Sequence, residues 1–202
     1  MRGIYEDFWA DAPADPEPWE FARRRELLLA EARPGERVLD LGCGAGRFVA
    51  ALRDAGADPV GVELAEAALE RARRVTPGAD LRRVAPDGSL PLGHGEIDLV
   101  WCSEVLEHVP DTVGFLTEVR RVLRPGGRLL LTVPQHSRVK RTMIALANYD
   151  VHYDPLGEHV RFYTRRSLKR ALEATGFTAV SLSTLGGPPL LRESLVARAE
   201  RT

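Results

Sequence analysis

From Arg37 to the end of the chain, short apolar runs alternate with helical patterns. That rhythm permits little besides βαβ units and a mostly parallel sheet. Val38-Leu39-Asp40-Leu41 and Pro59-Val60-Gly61-Val62-Glu63 read as strands. Each precedes a helix, Arg47 to Ala55 ended by Gly56, and Ala65 to Val75 closed by Pro77-Gly78. Leu81 to Ala85 and Ile97 to Cys102 continue the series, followed by a helix from Thr112 to Leu123, the stop Arg124-Pro125-Gly126-Gly127, and a strand from Arg128 to Val133. Thr164 reads as the N-cap of a helix from Arg165 to Thr175 with Gly176 at its C-terminus. The tail reads as two strands, Phe177 to Leu185 and Leu191 to Arg198, around Gly186-Gly187-Pro188-Pro189. With no helix between them they make an antiparallel hairpin at one sheet edge. The pattern predicts a doubly wound α/β fold with helices on both faces.

Two segments stand outside the rhythm. In residues 1–35, Phe8, Trp9 and Trp19 flank Pro13, Pro16 and Pro18. A helical pattern from Glu20 to Arg33 comes next, with Phe21, Leu27, Leu28 and Leu29 on its buried face and Pro34-Gly35 to stop it. Residues 135–163 have weak periodicity and many polar aromatics. A length of 202 residues suits one domain carrying both segments.

Charge narrows the partners. Lysine and arginine number 28 against 29 acids, which argues against a chain devoted to gripping nucleic-acid phosphates. The basic run Arg161 to Arg166 with Lys169-Arg170 reads as a solvated helix face rather than a nucleic-acid contact. No stretch approaches about 20 apolar residues, so no transmembrane helix is expected. Glu6 and Asp7 stand where a signal peptide needs apolar residues. Cys43 and Cys102 make no disulfide framework. The expectation is a cytoplasmic, reducing setting with a small-molecule partner, neither nucleic acid nor membrane, and a monomer or homodimer.

The informative stretch is Asp40-Leu41-Gly42-Cys43-Gly44-Ala45-Gly46. Glycines between a strand and a helix allow a sharp turn and close approach to a ligand. Glu63 ends the next strand, 23 residues after Asp40, where a carboxylate can accept both hydroxyls of a ribose. The dinucleotide pattern G-x-G-x-x-G fails, because Arg47 stands at its third glycine. Asp40 would repel a pyrophosphate and suits a cationic amino-acid end, which favours S-adenosylmethionine with its ammonium and sulfonium groups. A dinucleotide-binding module is the rival.

These residues, with Gly61-Val62-Glu63, Asp98-Leu99-Val100, Glu104-Val105-Leu106-Glu107-His108-Val109 and Leu123-Arg124-Pro125-Gly126-Gly127, resemble the class I S-adenosylmethionine-dependent methyltransferases of the small-molecule type. The resemblance implies seven strands ordered 3-2-1-4-5-7-6 with the seventh antiparallel. It implies a cofactor site made of Asp40, Gly42, Cys43, Gly44, Glu63, Leu64, Asp87 and Ser103. Asp87 would accept from the adenine amino group. Cys43 is read as packing inside the loop. Ser103 and Glu104 either face the methionine end and acceptor site or simply cap the next helix.

Candidate bases for an acceptor are Glu104, Glu107, His108, His136, His152 and His159. Glu104, Glu107 and His108 are spaced to share one side of a helical turn. The segment resembles that of ubiquinone-pathway O-methyltransferases and of small-RNA terminal 2′-O-methyltransferases, some of which bind a metal there with a histidine from a segment like Gly157-Glu158-His159-Val160-Arg161-Phe162. Two readings stand: Glu104, Glu107, His108 and His159 hold a magnesium or zinc ion, or the histidines are bases or lid residues. Residues 1–35 and 135–163 are expected to form the acceptor lid, where aromatics such as Tyr5, Trp9, Trp19, Tyr149, Tyr153 and Phe162, mixed with Arg138, Arg161 and histidines, suit a flat or anionic acceptor. The expected function is methyl transfer to a hydroxyl or amine of a small molecule. The alternatives are methylation of an RNA end and a non-catalytic S-adenosylmethionine-binding protein.

Overall fold

Neighbouring residues along the central strands pack on opposite faces of one sheet. Val38, Leu99, Leu130 and Val196 join one apolar cluster, whereas Leu39, Val100, Leu131 and Ala197 join another. A strand buried on both faces needs an apolar residue at every position, which is why these runs are continuous rather than alternating. The computed structural model describes residues 2–12, 17–85, 87–147, 149–154, 157, 159–188 and 193–202. Pro13, Pro16, Pro86, Glu158, Pro189 and Leu191, and the side chain of Tyr5, lie outside the described residues.

The elements run α1 (Arg2–Asp11), α2 (Phe21–Leu29), β1 (Arg37–Leu41), α3 (Arg47–Asp54), β2 (Asp58–Glu63), α4 (Glu66–Val75), β3 (Asp80–Arg83) and β4 (Ile97–Ser103). A short 3-10 turn (Leu106–His108) leads to α5 (Thr112–Val122), β5 (Leu123–Pro134), α6 (Arg138–Ala147), α7 (Tyr149–His152), α8 (Arg165–Ala174), β6 (Phe177–Leu185) and β7 (Ser194–Arg201). The sheet order is β3-β2-β1-β4-β5-β7-β6. Pairings from β3 across to β5 are parallel, and β7 runs antiparallel to both its neighbours. The doubly wound sheet and its closing hairpin are as the sequence predicts. No helix among the described residues is long and apolar enough to cross a membrane.

Several boundaries differ from the sequence reading. β5 begins at Leu123, because the Pro-Gly-Gly stop is absorbed by a register shift between Ile97 and Leu99 of β4. β7 begins at Ser194, where pairing to Pro134 starts. The segment 135–163 holds two helices despite its weak periodicity, because α6 buries only Ile144. Thr164 caps α8 as predicted, its hydroxyl accepting from the Ser167 N–H at 3.2 Å.

α1 was not foreseen. It is fastened to α4 by Glu6, whose carboxylate accepts from the backbone N–H groups of Glu66 at 3.0 Å and Ala67 at 3.2 Å and pairs with Arg83. Those N–H groups are orphans of the first turn of α4, and a negative charge there is stabilising. Carbonyls of Ala10 and Ala12 accept from Arg71.

Candidate active site

Two strand ends build one half of the site. β1 delivers Asp40 and the glycine loop, and its neighbour β2 delivers Glu63. The loop is held by Val62, whose carbonyl accepts from the N–H groups of Gly42 at 2.8 Å and Cys43 at 3.1 Å. Gly44 adopts φ +50°, and a Cβ there would lie 2.9 Å from the Trp9 ring. Gly42 adopts φ +80°, and a Cβ would fall 2.4 Å from a Val105 methyl. Both positions therefore demand glycine on backbone and spatial grounds.

The Glu63 carboxylate is fixed by its own surroundings. It accepts from the N–H groups of Gly44 at 3.1 Å, Leu64 at 2.6 Å and Ala65 at 3.1 Å. A carboxylate has about four lone-pair positions, so about one is left for a ligand. Burial pushes its pKa up, while these N–H donors hold it down. Asp40 is fully buried, and its Oδ2 has no hydrogen-bond partner. Burial first, then repulsion from Glu63, push its pKa up to about 8, with a Val49 N–H opposing. A buried oxygen without a donor is costly, and an ammonium group would relieve it. Cys43 packs with Val49 and Leu69, its thiol pushed up by burial.

Asp87 departs from expectation. It is exposed, and its Oδ1 accepts from the Ser89 N–H at 2.9 Å and hydroxyl at 2.7 Å. The local turn thus engages one carboxylate oxygen at the surface.

The end of β4 builds the second half. Ser103 and Glu104 meet Arg24 of α2, a guanidinium only 3% exposed. Arg24 lies 3.1 Å from the Glu104 carboxylate and donates to the hydroxyls of Ser103 and Ser194, each at 3.2 Å. Trp19 lies against it, 5.1 Å from the ring centroid. The sequence reading missed Arg24. Its signal was present: it falls on the Phe21–Leu28 stripe, where a lone arginine among apolar neighbours needs a buried partner.

Glu104 also breaks the expected helical alignment. It has φ +54°, and only the Leu106–His108 turn beyond it is helical. Glu104 is therefore directed to Arg24, while ligand atoms of Glu107, His108 and His159 gather within 4.8 Å of one another. The Glu107 carbonyl accepts from the N–H groups of Val160 and Arg161, both at 2.9 Å, which brings His159 to the turn. Both carboxylate oxygens of Glu107 are buried without a hydrogen bond, and Oε1 lies 3.9 Å from His108 Nε2. Burial and the Glu104 charge push its pKa up to about 9. The four-residue metal set of the sequence reading thus becomes a three-residue cluster, because Glu104 is neutralised by Arg24.

His136 comes after β5 and meets His152 of α7, with their Nε2 atoms 2.9 Å apart and Phe162 packed on both rings. Burial lowers His136 to about 4, helped by Lys140 and His152. His159 falls to about 4 through burial and His108. Both imidazoles are therefore neutral at pH 7.

A Rossmann-like sheet with an acidic glycine loop and an acid on the adjoining strand defines a nucleoside-cofactor enzyme. A family model described as a methyltransferase domain matches residues 16–182. The ubiquinone biosynthesis O-methyltransferase of Thiobacillus denitrificans is 30% identical over 194 residues, covering 91% of this chain and 84% of that protein. A 37.1 kDa protein of transposon TN4556 from Streptomyces fradiae is 41% identical over 114 residues, covering 54% of this chain and only 33% of that protein. The 1,6-didemethyltoxoflavin-N1-methyltransferase of Burkholderia thailandensis, solved with bound 1,6-didemethyltoxoflavin and S-adenosylhomocysteine, superposes with a TM-score of 0.65 at 24% identity, covering 100% of this chain and 84% of that one. The chain belongs to the methyltransferase-domain family and is a class I S-adenosylmethionine-dependent methyltransferase.

Proposed function

We propose that the protein methylates a hydroxyl or amine of a small molecule. The observation that carries the cofactor half is the orphaned Asp40 oxygen at the base of the glycine loop. Asp40 would take the ammonium end, the backbone of Gly42, Cys43 and Gly44 would line the methionine half, and Glu63 with Leu64 would hold the ribose. Ser103 and Arg24 stand where a carboxylate can be received, with Glu104 balancing the guanidinium. Bound S-adenosylmethionine supplies an electrophilic methyl group on a sulfonium. The protein's part is to align the acceptor and remove its proton.

For the proton, His136 and His159 are neutral imidazoles in the lid segment, and His108 adjoins His159 at 4.8 Å between ring centroids. Glu104 is already engaged by Arg24 at 3.1 Å. The orphaned Glu107 carboxylate favours a second reading of the same corner. Glu107, His108 and His159 would hold a divalent cation, and a set of two imidazoles and one carboxylate suits zinc better than magnesium. Such an ion would lower the pKa of an acceptor hydroxyl.

The relatives, an O-methyltransferase of ubiquinone biosynthesis and an N1-methyltransferase with 1,6-didemethyltoxoflavin bound, support a small molecule over an RNA end. The test is incubation with radiolabelled S-adenosylmethionine and separated small-molecule and RNA extracts. Label is expected in the small-molecule fraction. Label confined to RNA, or uptake by neither fraction, would overturn the acceptor assignment. Calorimetry with S-adenosylhomocysteine against NAD tests the cofactor half independently.

A further inference from the structure

His136 follows β5, whose Thr132 lies beside Ser103 of β4, so it stands at the carboxyl edge of the sheet, where ligands of such folds bind. Its Nε2 is 2.9 Å from Nε2 of His152. Phe162 packs on both rings, at 5.3 and 5.4 Å between centroids, and Tyr153 meets His152 edge-on at 5.0 Å. Neither imidazole can turn without displacing these neighbours. His136 is 4% exposed, and its Nδ1 is buried without a hydrogen bond. His152 is only half-buried. A molecule entering the lid can therefore touch His152 but not His136.

A neutral imidazole carries one proton, so a bond between two Nε2 atoms makes one ring the donor and the other the acceptor. The Pro134 carbonyl favours a proton on His136. With Nε2 turned to His152, that proton belongs on Nδ1, and the opposite tautomer would bury a bare Nδ1 that no donor reaches. His136 then accepts at Nε2 from the Nε2–H of His152, which leaves the lone pair of His152 on Nδ1. Lys140 acts on both rings and His159 on His136, and each opposes a charge on the pair. Phe162 and Tyr153, packed on the rings, bring no charge of their own at neutral pH.

We propose that His152 is the base that takes the acceptor's proton, and that His136 is a positioning residue that keeps the lone pair of His152 on Nδ1. The role rests on the small-molecule methyltransferase reading, and it passes from His136 to the partner that an acceptor can reach. As the methyl carbon bonds to the acceptor atom, the carbon–sulfur bond breaks and sulfur keeps its electron pair. The acceptor's proton passes to His152 Nδ1, and the imidazolium so formed releases it to water. A buried partner that fixes the tautomer of a working imidazole is the logic of hydrolytic triads, with a second imidazole in place of the acid.

The test follows label from S-adenosylmethionine into the small-molecule extract at pH 7, beside nitrogen-15 spectra of histidine-labelled protein. His152→Ala should lower the rate at least about a hundredfold, and added imidazole should restore part of it. His136→Leu should cost about tenfold or more, whereas His136→Gln, whose side-chain carbonyl can accept from the same N–H, should stay within about threefold of wild type. The spectra should show His152 bare at Nδ1 in the wild type and in His136→Gln, and a mixture of tautomers in His136→Leu. Calorimetry with S-adenosylhomocysteine confirms that the variants remain folded and bind cofactor. A protonated His152 Nδ1, a wild-type rate in His152→Ala, or equal rates in the two His136 variants would overturn the proposal. Wild-type protein that labels nothing in the extract would instead sink the small-molecule reading and the base with it, while the spectra still decide the pair.

Discussion

Replacing Asp40 by asparagine separates the stability of the fold from its function. The folded pKa of Asp40 is raised from 3.8 to about 8. Between those values the folded protein holds a proton that the unfolded chain has released, so wild-type stability falls as pH rises from about 4 to 8. At 1.36 kcal/mol per unit, the penalty is ~4 kcal/mol at pH 7 and ~5 kcal/mol at pH 8, against under ~2 kcal/mol at pH 5. Asparagine does not titrate, and its buried amide costs ~1–3 kcal/mol of its own. Asp40→Asn should be about as stable as wild type at pH 5 and more stable at pH 8, the gap widening by ~3–4 kcal/mol. For a chain of this size that widening is roughly 7–15 °C in melting temperature. The same variant should bind S-adenosylmethionine ten to a hundredfold more weakly, having lost a charge-assisted pairing of ~1.5–3 kcal/mol. Calorimetric melts at the two pH values and titration at pH 7 read both effects. A gap that fails to widen, or an unchanged affinity, would refute the reasoning.

Gly44→Val should abolish cofactor binding in a protein that still folds, because side-chain atoms there would stand over the loop backbone that would line the methionine half, and Trp9 must shift to admit them; circular dichroism and calorimetry distinguish this from unfolding. Glu63→Ala removes the ribose acceptor and frees three N–H groups, so affinity for S-adenosylhomocysteine should fall at least tenfold, and an unchanged dissociation constant would place the ligand elsewhere. If Glu107, His108 and His159 hold an ion, elemental analysis should find one, a chelator should abolish methyl transfer and a divalent ion restore it. His159→Ala should then weaken metal binding while leaving cofactor affinity intact. Activity indifferent to chelator would leave the histidines as bases.

How far the sequence reached depends on the range of the interaction. Strand against helix, the glycine turn, the Thr164 cap and the adjoining places of Asp40 and Glu63 were legible because each is set within a few residues, by burial periodicity and by backbone sterics. The order of the strands came from resemblance, and pairing in the sheet agrees with it. The positions of Arg24, Glu104 and His159 were decided elsewhere. Arg24 meets Ser103 from 79 residues away. The turn at Glu104 is left-handed in spite of its side chain, and the spacing of Glu104, Glu107 and His108 could not announce it. His159 reaches Glu107 through two backbone hydrogen bonds that any residue types could make, so composition carries no trace of them. Desolvation did the rest: Asp40 and Glu107 titrate far from ordinary carboxylates only because the finished fold excludes water from both. Sequence windows record what a residue prefers, whereas burial and long-range pairing exist only once distant faces have met.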